Sequence, residues 1–167
     1  MRFSEEFSRH SFDPTRLFNG EWKVVPVYPH ERFMFPALVS PALALHYWKA
    51  AVEAAPGYTP EVERLVVVAL NAKSVPLGHA VTSVGTVDST IFHPREIFRA
   101  AIIASASSIL MMHNHPSGQP EPSEADIRVT RDLIRAGQLL KIEVCDHVIM
   151  GCQGRHASLK TLGFFYQ

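Results

Sequence analysis

Cysteine is scarce: the 167-residue chain has only Cys145 and Cys152. Two such residues make no disulfide framework, and their spacing fits no zinc ribbon. A reducing compartment is therefore the simpler expectation. Excess charge is missing too. Lys+Arg and Asp+Glu are each 16, for a formal net charge of zero. Such a chain does not advertise affinity for nucleic acid or an anionic membrane surface, which only a local patch could supply. No run of about 18 apolar residues exists, so no membrane-spanning helix is expected. The first residues, MRFSEEFSRH, mix charges of both signs and lack an apolar segment. No secretory signal is read there, and a cytoplasmic protein is expected. The zinc deaminases are excluded because they need H-x-E and C-x-x-C, and neither pattern occurs.

The length and the hydrophobic share of 47% suit one globular core. Residues 1–37 hold FDP, VVPVYP and FMFP with no sustained period. They read as an irregular N-terminal arm, with one short extended piece near Val24–Val27. The rest, 38–167, reads as one domain in which helices and strands alternate, an α/β (α+β) layered fold. Ser40 and Pro41 open a helix to about Ala54 as N-cap and first-turn proline. ERLVVVAL (63–70) is a strand apolar enough to be covered on both faces. LGHAVTSVGTV is a second strand, and DSTIFHP is a loop. Pro94 starts a helix to about Ala104, and SSILMMH is a third strand. A helix from Glu124 to Ala136 is expected to close at Gly137, and KIEVCDHVIM is another strand. The tail contains one short element of open type.

The chemistry gathers in MMHNHPSGQPEPSEAD, residues 111–126. Side chains alternate along a strand, so His113 and His115 project together where the third strand ends, and Asn114 points away. On the following helix, Val129, Thr130, Leu133, Ile134 and Gly137 fall on one face at about 100° per residue. Asp126 lands near the middle of that face. A carboxylate aimed at a core is costly unless something compensates it, and a bound cation would. Ser123 and Asp126 also form an S-x-x-D start that a helix cap alone could explain. The conjunction of two imidazoles and one inward carboxylate is the ligand set of a catalytic zinc, with one position left for water. A hydrolytic site further needs a carboxylate that does not ligate. The candidates are Glu61, Glu63, Glu121 and Glu124. Glu63 is favoured because its strand should run through the same sheet.

HNHPSGQPEPSEAD resembles the JAMM signature H-x-H-P…S-x-x-D of the MPN+ (JAB domain) metalloproteases. The resemblance extends through ERLVVVALNAK, TSVGTVDSTIFHPREIFRAA and ILMMHNH…CDHVIMG to the RadC-like branch, in near-continuous register from Glu63 to Gly151. It implies an MPN/JAB fold, a curved mixed sheet packed with helices in a cytidine-deaminase-like layout. It implies one Zn2+ on His113, His115 and Asp126, with Glu63 as catalytic base. It assigns Ser123 a hydrogen bond to the oxyanion or to the metal's water. The activity it implies is hydrolysis of a peptide or isopeptide bond in a protein or peptide substrate, ubiquitin-like proteins among the candidates.

Two departures stand out. Residues 1–60 show no glycine hairpin of the helix-hairpin-helix DNA binder typical of RadC proteins, and NAKSVP replaces the more usual D-x-K-N-R. The rival reading is a DNA-repair-associated or nucleic-acid accessory protein with a non-catalytic zinc. Asp146 and His147 are further candidates to orient a ligand. Asp146 is expected on the strand face of Ile142, Val144 and Val148, with His147 on the other. Arg128, Arg131 and Arg135 read as a solvated helix face.

Overall fold

The computed structural model describes residues 35–85 and 93–165. The expected arm up to residue 34, with its extended piece, and most of the loop DSTIFHP lie outside the described residues. Helix α1 spans Pro41–Tyr47, where the Ser40 side chain accepts a bond from the Leu43 amide. It continues as a π-helical stretch, Trp48–Glu53, which together with α1 fills the span read as one helix. Strands β1 (Arg64–Leu70) and β2 (Pro76–Val84) follow, then α2 (Pro94–Ile103) and β3 (Ser108–Asn114). After them come α3 (Glu124–Leu140), β4 (Glu143–Met150) and β5 (His156–Ser158). The short element of the tail is thus a strand, entered through a 3-10 turn at Cys152–Gly154.

The five strands form one mixed sheet in the order β2-β1-β3-β4-β5. Only β3 and β4 run parallel, joined by α3 as the crossover. The continuous apolar run of β1 is explained by cover on both faces. Val66, Val68 and Leu70 pack toward α1, Trp48 and Val52. Leu65 and Val67 pack with Ile97, Phe98 and Leu133 of α2 and α3. Each fully buried Val or Leu contributes about 1.5–3 kcal/mol of transfer free energy. This arrangement is the mixed α/β sheet-and-helix architecture of the JAB/MPN fold. Among the described residues no helix is long and apolar enough to cross a membrane.

Two expectations are corrected. Gly137 does not close α3. The helix runs on to Leu140, and Lys141 caps it in the left-handed conformation (φ 58°), its N–H bonded to the Gly137 carbonyl. Gly137 is there because the chain turns back across it: a Cβ would stand 2.5 Å from the Ile142 carbonyl oxygen. The second correction concerns β4. Ile109 pairs with Val144 but Leu110 pairs with Asp146, so Cys145 is an extra residue in the ladder. A bulge exchanges the faces beyond it. Val144 packs on the α2–α3 side, whereas Val148 packs on the α1 side. Asp146 therefore shares a face with Val148 but not with Val144, and His147 turns to the side of Met111 and His113.

Candidate metal centre

Strand β3 delivers His113 from within it and His115 from the residue that follows it, on one side as the alternation requires. His113 is fully buried and His115 partly exposed at the strand end. Asp126, at the third position of α3, is 5% exposed and faces them. The Nε2 atoms of His113 and His115 are 3.0 Å apart. His113 Nε2 is 3.3 Å from Asp126 Oδ1, and His115 Nε2 is 3.5 Å from Asp126 Oδ2. A tetrahedral zinc with bonds of about 2.0–2.1 Å keeps its ligand atoms roughly 3.3 Å apart. The three atoms already have nearly that spacing.

The hydrogen bonds behind the ring leave the right nitrogens bare. Thr130 Oγ1 lies 2.6 Å from the Asp126 carbonyl oxygen and 2.6 Å from His147 Nδ1. A hydroxyl has one proton, and a carbonyl can only accept. Thr130 therefore donates to Asp126 and accepts from His147 Nδ1–H. His147 Nε2 is then an acceptor, 2.8 Å from His113 Nδ1, which must donate to it. The His113 Nε2 lone pair is left facing the ligand cluster. On His115 the same result comes from the loop: Nδ1 donates to the Gln119 carbonyl at 2.8 Å. That loop is fastened from the tail, since Arg155 donates to the Gly118 carbonyl and Gln119 Oε1, and the Cys152 amide donates to the Gly118 carbonyl. Gly118 sits at φ +75° against the Cys152 side chain, where a Cβ would be 3.0 Å from its Cβ and Sγ.

Electrostatics agree with this tautomer chain. Burial lowers His147 to about 4, so it stays neutral. Burial likewise holds His113 well below the ordinary imidazole range, aided by His147 and opposed by Asp126. His115 is raised by its bond to Asp126 against the effect of burial. Burial pushes the Asp126 carboxyl up, but His115, His113 and Ser123 together outweigh it and hold it below the usual carboxylate range. Two facing lone pairs beside a carboxylate attract a cation. A proton on His115 relieves part of that field, and a divalent metal relieves it at all three atoms. The residues present fit such an ion, and among the described residues these three form the only such ligand group.

Of the four glutamates considered, Glu61, Glu121 and Glu124 are exposed. Glu63 is 8% exposed and immediately precedes β1. Leu65 pairs with His113, so continuing the antiparallel register sets Glu63 across from His115 on the same face. Its carboxyl is raised by burial, lowered by His115 and raised again by Asp126. Its Oε2 is buried with no hydrogen-bond partner among the described residues. Ser123 is exposed. It forms both halves of a capping box with Asp126, accepting from the Asp126 amide while its own amide and hydroxyl donate to Asp126 Oδ2 at 2.8 and 2.6 Å. Asp126 is thus at once a cap and a member of the cluster.

Asp146 stands apart from the cluster. It accepts from Ser158 Oγ and from the amides of His147 and Lys160, fastening β5 and the tail to β4. Arg128 and Arg135 are exposed and paired with Glu124 and Asp132. Thr130 was not singled out as a site residue from the sequence, although a lone hydroxyl one turn after Asp126 on an apolar face was a usable signal.

The RadC-like JAB domain family matches residues 38–164, and the chain belongs to it. Among curated relatives, a UPF0758 protein of Thermosynechococcus vestitus is 44% identical over 77% of this chain and 49% of its own length. A UPF0758 protein of Caldanaerobacter subterraneus subsp. tengcongensis is 50% identical over 62% of this chain and 44% of its own length. One of Methanosarcina barkeri is 45% identical over 61% and 44%. The chain thus spans about half the length, or less, of these relatives.

Proposed function

We propose that the chain is a zinc-dependent metallopeptidase or isopeptidase that hydrolyses an amide bond in a protein or peptide. The observation that supports this most is the pairing of a three-member ligand group with the Glu63 carboxylate, whose Oε2 is buried and unpartnered among the described residues and which the strand register sets on the same face. A structural zinc is usually closed by four protein ligands, whereas three leave a position for water or substrate. When bound, zinc would supply a Lewis acid and bring water's pKa toward about 7. His113, His115 and Asp126 would hold it. Glu63 takes the proton of the attacking water on its carboxylate and returns it to the leaving amine. The raised basicity that burial gives Glu63 suits both halves of that transfer. Ser123, exposed beside Asp126, donates its one hydroxyl proton to Asp126 Oδ2 in the resting site; it reaches the developing oxyanion by exchanging that bond for one worth roughly 3–4 kcal/mol elsewhere.

The rival nucleic-acid reading has less support, because Arg128 and Arg135 are engaged by neighbouring carboxylates and the net charge is zero. The test uses zinc-loaded protein and a panel of peptides and ubiquitin-like conjugates. Glu63→Gln should retain one zinc and cooperative unfolding while losing turnover by about 10²–10⁴. Cleavage that survives Glu63→Gln at the wild-type rate would refute the mechanism, even with the zinc in place.

A further inference from the structure

Asn114, the residue between the two histidines, turns away from the ligand cluster and is 4% exposed. Its strand partner is Met150, and that face of the sheet is apolar. A buried amide there is costly unless its donors and acceptor are used. Among the described residues, its side-chain bonds all go to one short stretch of backbone. Nδ2 donates to the carbonyls of Pro60 and Val62, both at 3.1 Å. Oδ1 accepts from the Arg64 amide at 3.0 Å. Turning the amide over would set its NH2 against the Arg64 N–H, so the network itself fixes the orientation. The three bonded residues, 60, 62 and 64, bracket Glu63.

Glu63 needs such a hold because it lies just before β1. One flank is secured from just beyond β2, where the Gly85 amide donates to the Glu63 carbonyl at 3.1 Å. The other flank is the irregular stretch after the π-helical turn. Arg64 supports it by donating to the Gly57 carbonyl and lying over the Tyr58 ring, 5.4 Å from its centroid. We infer that Asn114 is a positioning residue: it ties the backbone carrying Glu63 to the strand carrying two ligands and so sets the distance between base and metal. Three consecutive residues then hold both halves of the site, His113 and His115 from one face of β3 and the Glu63 segment from the other. A displacement near 1 Å in such a constellation can cost about 100-fold in rate.

This inference rests on the reading of Glu63 as the base, and its test keeps the two separable without a substrate. The probe is cobalt(II) in place of zinc, read as the pH midpoint of its visible absorption in the full chain. Glu63→Gln should move that midpoint by about 0.5 pH units or more, since a charge beside the metal is removed. Asn114→Leu, which suits the apolar surroundings, and the smaller Asn114→Ala, neither of which adds a charge, should bind one cobalt per chain with near wild-type affinity. Both should shift the midpoint in the same direction as Glu63→Gln. In the Glu63→Gln background, Asn114→Leu should add no further shift. A wild-type midpoint in both Asn114 variants, or an undiminished shift in the Glu63→Gln background, overturns the positioning role alone. A midpoint indifferent to Glu63→Gln removes the base reading, and this inference with it. Should both Asn114 variants fail to fold, hydrogen exchange on the wild-type protein decides. The Asn114 side-chain amide and Arg64 N–H should exchange slowly, and fast exchange at these sites overturns the clamp.

Discussion

Replacing Thr130 by Val tests whether a hydroxyl that touches no ligand atom governs metal affinity. Val keeps the volume and removes the oxygen that accepts from His147 and donates to the Asp126 carbonyl. His147 is fully buried, so its Nδ1–H loses its acceptor where water cannot replace it. An unpaired buried donor costs about 1–3 kcal/mol. The imidazole can escape that cost by moving its proton to Nε2. His113 Nδ1 must then accept, and the proton of His113 moves to Nε2, the atom that would ligate. Either outcome weakens metal binding, by about 10–100-fold on the usual scale for partners behind a metal ligand. That range corresponds to roughly 1.4–2.8 kcal/mol. Zinc affinity is measured by competition with a chromophoric chelator, alongside thermal unfolding of the metal-free protein. Thr130→Ser restores the hydroxyl but not the methyl, and should recover affinity to within about threefold of wild type if the hydroxyl is what matters. Wild-type affinity in Thr130→Val would refute the relay. Equal losses in the Val and Ser variants would show that packing, not the hydroxyl, is responsible.

Asp126→Ala should lose both zinc and the helix cap, the latter worth about 1 kcal/mol. Asp126→Asn separates the two roles, expected to keep most of the stability while binding zinc at least about 10-fold more weakly, and wild-type zinc content in either variant would leave capping as the residue's whole role. Gly137→Ala should destabilise by about 1–3 kcal/mol in urea unfolding because the new methyl meets the Ile142 carbonyl. In an open helix the same change stabilises by up to about 1 kcal/mol, so a stabilised variant would refute the close approach. His79 is held below the ordinary imidazole pKa of 6.5 by burial, and its Nδ1 faces the Tyr47 hydroxyl. Below about pH 6.5 the unfolded chain therefore binds a proton that the folded chain resists, and stability should fall as pH is lowered. His79→Gln should reduce that slope between pH 7 and 5, leaving the part that His113 and His147 contribute, and an unchanged slope would count against a depressed pKa at the half-buried His79.

That His113, His115 and Asp126 gather at one place was legible in the sequence because each piece obeys a local period. A two-residue repeat at the end of a strand put His113 and His115 on one side, and a 3.6-residue repeat turned Asp126 inward from the next helix. The placement of Glu63 beside that cluster was legible for a related reason: it opens a run so apolar that only a central strand accommodates it. Other features depend on where distant backbone lies. The bulge at Cys145 adds one residue to β4 against β3, which reverses the expected faces of the strand beyond it. His147 therefore reaches His113 while Asp146 fastens the tail. No residue near Cys145 announces that shift, because it is a property of pairing between two strands. Gly137 has the composition of a helix stop, yet the chain continues helically, and the glycine is needed only because Ile142 returns against it. Thr130 and Asn114 could be seen to sit on an inward face or beside the ligands. What they bond, an imidazole on β4 and the backbone before β1, was settled only when the sheet order placed β1 and β4 on either side of β3.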